Sequence, residues 1–173
     1  MRGYRNVSVS APWTCSECEP GTYKTSIGTG ACLNCDVHSY NPTYGGDYLG
    51  SCLPCPDGSK ATSPGSTAIT DCICVAGYGL DGYCRPCAPG QYSSDSDPVC
   101  INCPLNTYSP TPKATSNSTC QPCPSNAVTA KNGSDQASDC GCVLGYSGLP
   151  GEECHQCLPG SYSDTTGPEP CTL

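Results

Sequence analysis

The chain contains no phenylalanine, one methionine and one tryptophan. Leu, Ile and Val together supply only 20 of its 173 residues. That is about 12%, below the ~20% at which a chain usually buries enough apolar surface to fold on that basis. A helical bundle, a doubly wound sheet and a conventional enzyme core are excluded by this shortage. No run of about 18 apolar residues occurs, so no part of this sequence reads as inserted in a membrane. Positive charge is scarce too, with seven Lys and Arg against fifteen Asp and Glu and a net charge of −8. So few cations, unclustered, cannot neutralise a row of phosphates, and nucleic acid is not an expected partner. The same sign discourages adsorption to anionic membranes. The carboxylates are dispersed, as on a solvated acidic surface.

What the chain has instead is cysteine, 19 residues of it, together with 20 Gly and 18 Pro. Charged residues make up only 13% and the cysteines are evenly spaced, which argues for an ordered scaffold rather than a disordered chain. The class that remains is small and disulfide-rich, mostly loops with short β-hairpins, in an oxidising compartment. The cysteines from Cys15 to Cys74 recur from Cys84 to Cys142 with a displacement of 68 or 69 residues, and Cys154, Cys157 and Cys171 begin the pattern again. Each unit holds three CxxC pairs and one CxC. A fixed period of this length marks a linear array, expected to be an elongated rod whose units touch mainly their neighbours.

Other residues keep the same phase. Pro20-Gly21-x-Tyr23, Pro89-Gly90-x-Tyr92 and Pro159-Gly160-x-Tyr162 each follow the first CxxC of a unit. Tyr40 and Tyr108 stand five residues after the second CxxC, and Gly77-Tyr78 and Gly145-Tyr146 follow the CxC. The Pro-Gly steps read as turns. The tyrosines supply most of the large apolar surface and are expected as lids over nearby disulfides, in preference to a ligand-stacking site. No sustained 3.6-residue apolar period exists, so helix should be almost absent.

Met1-Arg2-Gly3-Tyr4 aligns with the residues that follow a CxC, and the first fourteen residues lack a secretory apolar stretch. On this reading Met1 is not an initiator and a cysteine precedes it. The chain is then an internal segment, with residues 1–14 the tail of a preceding repeat, 15–83 the first repeat, 84–153 the second and 154–173 the start of a third. Cys15 is left unpaired, awaiting the cysteine before Met1.

The run Cys55-Pro56 … Gly65-Ser66 … Asp71-Cys72-Ile73-Cys74-Val75-Ala76-Gly77-Tyr78 resembles the membrane-proximal, EGF-like cysteine-rich region of ephrin receptors. Its partner, Cys123-Pro124 … Gly133-Ser134 … Asp139-Cys140-Gly141-Cys142 … Gly145-Tyr146, does the same. The stretch from Cys87 to Cys103-Pro104 is similar to ephrin-receptor-like repeats of secreted animal and protist proteins, and TNF-receptor modules share its loop. Nearly the whole chain is covered. Each unit carries one extra CxxC loop relative to the ephrin-receptor pattern, so ligand-binding roles do not transfer directly.

The resemblance implies EGF-like pairing of Cys74 with Cys84 and of Cys142 with Cys154. The loop after Pro-Gly-x-Tyr suggests Cys18–Cys32, Cys87–Cys100 and Cys157–Cys171. For the middle cysteines two schemes stay open. Crossing gives Cys35–Cys55 with Cys52–Cys72, and Cys103–Cys123 with Cys120–Cys140; a ladder gives Cys35–Cys52 with Cys55–Cys72. The crossed form is favoured, because interlocked loops hold a chain with little core more rigidly. Closing a loop of ~15 residues is worth about 3 kcal/mol in the chain-entropy model.

Chemistry is thinly represented. Cys15, Cys18, Cys32 and Cys35 have the spacing of a four-cysteine zinc site. The CxC motifs, the acidic balance and the sequons weigh against it, and no metal site is expected. No βαβ context supports a redox CxxC. His38 and His155, the two histidines, sit in loops beside CxxC motifs, without a readable catalytic partner. Asp95 and Asp97 precede Cys100 without matching a calcium-binding EGF pattern. Neither catalytic nor cofactor residues are expected. Three sequons, at Asn6, Asn117 and Asn132, mark expected N-glycans, with Asn117 foremost, while Asn41-Pro42-Thr43 is closed by its proline. The residues of Thr107–Thr119 are rich in Ser, Thr and Pro and suit O-glycans.

The expected function is structural and non-catalytic: a segment of a repeat rod in an extracellular fibre, ciliary hair, wall or matrix, partnered by other copies or other chains of the assembly. The alternative is a stalk or ligand-binding ectodomain of a cell-surface receptor or adhesion protein.

Overall fold

The computed structural model describes residues 4–6, the first three by backbone alone, 15–26 and 28–173. The chain divides into two compact units, Met1–Val75 and Ala76–Leu173. Among the described residues there is no α-helix, only 3-10 turns at Leu49–Ser51, Ile69–Asp71, Asn117–Thr119 and Ala137–Asp139. Every sheet is a single antiparallel pair of short strands.

One loop design is repeated throughout. Three residues past its opening cysteine the chain turns with positive φ, at Gly21, Gly58, Gly90, Asn106, Asn126, Gly145 and Gly160 among others. The fourth residue then donates its amide to the carbonyl of the first, as Thr22 does to Glu19 and Thr107 to Pro104, at 2.9 to 3.2 Å in eight loops. Glycine takes this conformation without steric cost, and asparagine is the next best residue there. The loop opened by Cys35 has His38 at that place, outside the positive-φ set. There the Asp36 carboxylate accepts from the His38 amide at 2.9 Å and from the Ser39 hydroxyl at 3.0 Å, so a side chain shapes the turn instead.

After the turn, the fourth and fifth residues pair with the two residues that separate the cysteines of the next CxxC. Thr22 and Tyr23 face Asn34 and Leu33, and Ser39 and Tyr40 face Pro54 and Leu53. Thr107 and Tyr108 face Pro122 and Gln121. The spacing of CxxC is thus set by a two-residue strand. Its first cysteine closes one loop and its second opens another. The second also donates its amide to the previous turn, Cys35 to Gly21, Cys103 to Gly90 and Cys123 to Asn106, at 2.8 to 2.9 Å.

The disulfides follow from this geometry. In the first unit Cys18 joins Cys32, Cys35 joins Cys52 and Cys55 joins Cys72. In the second, Cys87 joins Cys100, Cys103 joins Cys120, Cys123 joins Cys140, Cys142 joins Cys154 and Cys157 joins Cys171. Cys74 and Cys84 are disulfide-bonded as well. The middle cysteines form the ladder, so the crossed scheme is corrected: Cys35 does not meet Cys55, nor Cys103 Cys123. Each turn folds the opening cysteine back beside the start of the returning strand, which puts Cys35 5.7 Å from Cys52 between Cα atoms. Cys55 lies past that strand's end, with its amide on His38 O. Successive loops are joined by backbone hydrogen bonds rather than by interlocked disulfides.

The interior is made of sulfur and small side chains. The buried apolar residues are cysteines with Ala61, Ala114 and Ala127, and beside them lie buried polar residues, mostly serines. Tyr108 and Tyr146 pack against the cluster of Ala127, Cys140, Cys142 and Cys154. Leu33, Leu53 and Ile73 are exposed, because the residue after each closing cysteine points away from the loop.

Candidate functional site

Six residues past the opening cysteine, immediately after the tyrosine in most loops, the side chain is buried in seven loops, at Lys24, Asn41, Ala61, Ser93, Ser109, Thr129 and Ser163, whereas Leu80 at that place after Cys74 is exposed. All but one of these are polar; Asn41, Ser93 and Thr129 bond to neighbouring loops, whereas Lys24, Ser109 and Ser163 bond within their own. Ser93 Oγ accepts the Gly77 amide at 2.9 Å and donates to Tyr78 O at 3.0 Å. Thr129 Oγ1 accepts the Asn106 amide at 2.9 Å. Lys24 Nζ donates to the carbonyl oxygens of Gly28 and Gly30, so the loop wraps its ammonium group. The sequence reading missed this position. Its signal was a short polar residue at fixed offset from cysteine, which an alignment of the chain with itself exposes.

Acidic side chains are occupied in the same way. Asp71 Oδ2 accepts the amides of Thr67 and Ala68, and Asp139 Oδ2 those of Asp135 and Gln136. The Asp that precedes each CxC therefore fastens a 3-10 turn. Asp95 Oδ1 accepts the Ala76 amide at 3.1 Å, so one of the two aspartates weighed for calcium is committed to backbone. Among the described residues no cluster of three metal-ligating side chains occurs. Of the four zinc-spaced cysteines, Cys18, Cys32 and Cys35 are in disulfides, and Cys15 is free and exposed. His38 and His155 are exposed and belong to different units. The Asp36 carboxyl is held below the usual carboxylate range, chiefly by the His38 amide and then by the Ser39 hydroxyl.

The repeat tyrosines Tyr23, Tyr40, Tyr78, Tyr92, Tyr108 and Tyr146 are half-buried, whereas Tyr162 is exposed. Lys113 Nζ lies 5.2 Å above the Tyr78 ring. Tyr4 stands opposite Glu17, as Tyr78 stands opposite Pro86 and Tyr146 opposite Gln156. Each of these partners immediately precedes an opening cysteine, so the first hairpin repeats the register of the later two.

Of the three sequons, the Asn6 side chain lies outside the described residues. Asn117 is exposed at the start of its 3-10 turn. Asn132 is exposed as well, but Ser134 of the same sequon is buried and donates to Lys131 O. That serine matches Ser66, which donates to Ser63 O, and is there for the fold.

No helix among the described residues is long and apolar enough to cross a membrane.

Residues 90–140 match the family model described as "Tyrosine-protein kinase ephrin type A/B receptor-like". The chain is 32% identical over 169 residues to "Cysteine repeat modular protein B" of Toxoplasma gondii, a match that covers 92% of this chain and 2% of that protein. It is 29% identical over 109 residues to "Signal peptide, CUB and EGF-like domain-containing protein 2" of Mus musculus, covering 61% of this chain and 10% of that one. Over 70 residues it is 34% identical to "Sushi, von Willebrand factor type A, EGF and pentraxin domain-containing protein 1" of Rattus norvegicus, covering 40% of this chain and 2% of that one. The chain thus spans a tenth or less of the length of these relatives. A 69-residue cysteine period, a ladder of loop-closing disulfides and these matches agree: the chain is a cysteine-rich protein of EGF-like, ephrin-receptor-like repeats.

Proposed function

We propose that this segment is a non-catalytic, disulfide-stapled spacer of an extracellular protein, built with other copies or other chains into a fibre, ciliary hair, wall or matrix. One observation carries the reading: the chain commits its reactive chemistry to its own backbone. Cysteines close loops, while Asp71, Asp139 and Asp95 bind amides and Ser93 and Thr129 bridge loops. Disulfides in this number persist in an oxidising compartment. The mouse relative is named for its signal peptide, which supports the same compartment. The second reading, a receptor stalk or ligand-binding ectodomain, is favoured by the receptor named in the matching family model. Immunoelectron microscopy with an antibody raised against residues 84–153 tests both. Label along filaments, hairs or wall is expected; label confined to the plasma membrane favours the receptor, and cytosolic label overturns both.

Sugar belongs to the same proposal, with Asn117 as the principal site because its side chain is exposed at the start of its 3-10 turn. Mass spectrometry of the native protein, before and after an N-glycan-cleaving enzyme, decides it. Unmodified Asn117, Asn132 and Asn6 together would reject it.

A further inference from the structure

We infer that Pro42 keeps an N-glycan off Asn41, a side chain that this fold buries. The inference rests on the extracellular reading above, since only a chain passing through a glycosylating compartment meets the hazard. Asn41-Pro42-Thr43 has both polar residues of a sequon and is closed solely by the proline between them. Asn41 is fully buried. Its Nδ2, the atom that a glycan would modify, donates to Thr22 O at 3.0 Å. Its Oδ1 accepts from the Thr43 amide at 3.1 Å and from the Thr43 hydroxyl at 2.9 Å. The local turn therefore uses the very asparagine and threonine that a sequon needs.

There is no room for sugar. A methyl group built on Gly46 would come within 2.9 Å of Asn41 Nδ2 and 2.7 Å of Thr22 O. Glycosylation moves an oligosaccharide from a lipid-pyrophosphate carrier to Nδ2: a C–N bond forms at the anomeric carbon, Nδ2 loses a proton, and the lipid pyrophosphate leaves. The reaction acts on the unfolded chain, and its product at Asn41 has no place in the folded loop.

The second unit separates this role from a backbone role. Ser109-Pro110-Thr111 occupies the same place there, and buried Ser109 offers no amide nitrogen to an N-glycan. Proline thus suits the backbone in both units. In the first unit, where asparagine replaces serine, it also closes a sequon. Asn41 is compatible with the compartment because Pro42 stands beside it.

The test secretes the 173-residue chain from a eukaryotic cell behind a secretory leader, as itself and as P42A, P110A and N41S/P42A. P42A is expected to carry a glycan on Asn41 and to lose several-fold or more in secreted, correctly oxidised yield. P110A and N41S/P42A are expected to gain no glycan and to keep yields near that of the unaltered chain. Wild-type yield from P42A glycosylated at Asn41 would overturn the inference. So would P42A without sugar on Asn41, or P110A or N41S/P42A failing as badly as P42A. A P42A chain that takes sugar at Asn117 but not Asn41 sinks this inference and leaves the extracellular reading untouched. Cytosolic label on native cells removes the hazard whatever the variants do.

Discussion

Gly90 lies directly against the carbonyl of Gly133, 43 residues later in the chain, so that a side chain on Gly90 would overlap that carbonyl. Gly21 meets Gly65 in the same way in the first unit. The two glycine motifs of each repeat are thus one contact. It is stitched by Gly90 N to Ser109 O at 2.7 Å, Ser109 N to Ser134 O at 3.0 Å and Gly133 N to Cys103 O at 2.9 Å. Gly90 also has φ +80°, so alanine there is strained by conformation as well as by contact. We expect Gly90→Ala to cost more than about 2 kcal/mol and Gly82→Ala less, because Gly82 faces open space. Thermal unfolding of the oxidised variants checks the order; equal losses would mean that φ alone matters.

Asn106 and Asn126 hold the turn position that glycine holds in most loops, at φ 66° and 59°. Asn106→Gly should therefore be tolerated within about 0.5 kcal/mol, whereas Asn106→Val should cost about 1–2 kcal/mol. Denaturant unfolding of the pair measures this. A valine variant as stable as the glycine variant would show that the turn conformation is not required.

Ladder pairing is open to peptide mapping. Digestion without reduction should release Cys103 linked to Cys120 and Cys123 linked to Cys140. Replacing Cys123 and Cys140 together by Ala should cost about 3 kcal/mol, the value for a loop of this length. It should leave the Cys103–Cys120 link in place. Scrambling of that link would mean that the loops are not independent closures.

Asp36 gives the first unit an acid-sensitive turn. Its carboxyl is held below the ordinary aspartate value of about 3.9, first by the His38 amide and then by the Ser39 hydroxyl. A depressed carboxyl stabilises the fold fully above its unfolded value, and this contribution disappears as pH falls through the folded value. Protection of the His38 amide from hydrogen exchange should fall in that acid window. Asp36→Asn, which keeps an accepting oxygen without the titration, should abolish the dependence. Identical acid profiles for both proteins would refute the assignment.

Lys24 is buried with its ammonium on the carbonyl oxygens of Gly28 and Gly30. Lys24→Met keeps the aliphatic stem and removes the donors, which should cost about 1–3 kcal/mol. Nicking of the chain between Lys24 and Cys32 by a protease of broad specificity should accelerate in the variant. An unchanged nicking rate would show that the ammonium does not order the loop.

The sequence by itself determined the class of this protein, because cysteine spacing and apolar content are one-dimensional facts with direct physical consequences. Twenty large aliphatic residues are too few for an ordinary apolar core, and the Cys15–Cys74 pattern recurring at Cys84–Cys142 marks a repeat. Pro-Gly-x-Tyr was legible as a turn for the same reason, since glycine's freedom at positive φ belongs to the residue. Only the tertiary structure decided how Cys35, Cys52, Cys55 and Cys72 pair. All of them are near in sequence, and the choice rests on which way the turn at His38 folds Cys35 back. It alone revealed that Asn41 and Lys24 are buried, against the habit of both residue types, because folding brings them backbone carbonyls as partners, Thr22 of the preceding loop for Asn41 and Gly28 and Gly30 of its own loop for Lys24. The contact of Gly90 with Gly133 was hidden for a related reason: each glycine is explained locally by its own turn, and their meeting depends on the stacking of loops that no short window of sequence contains.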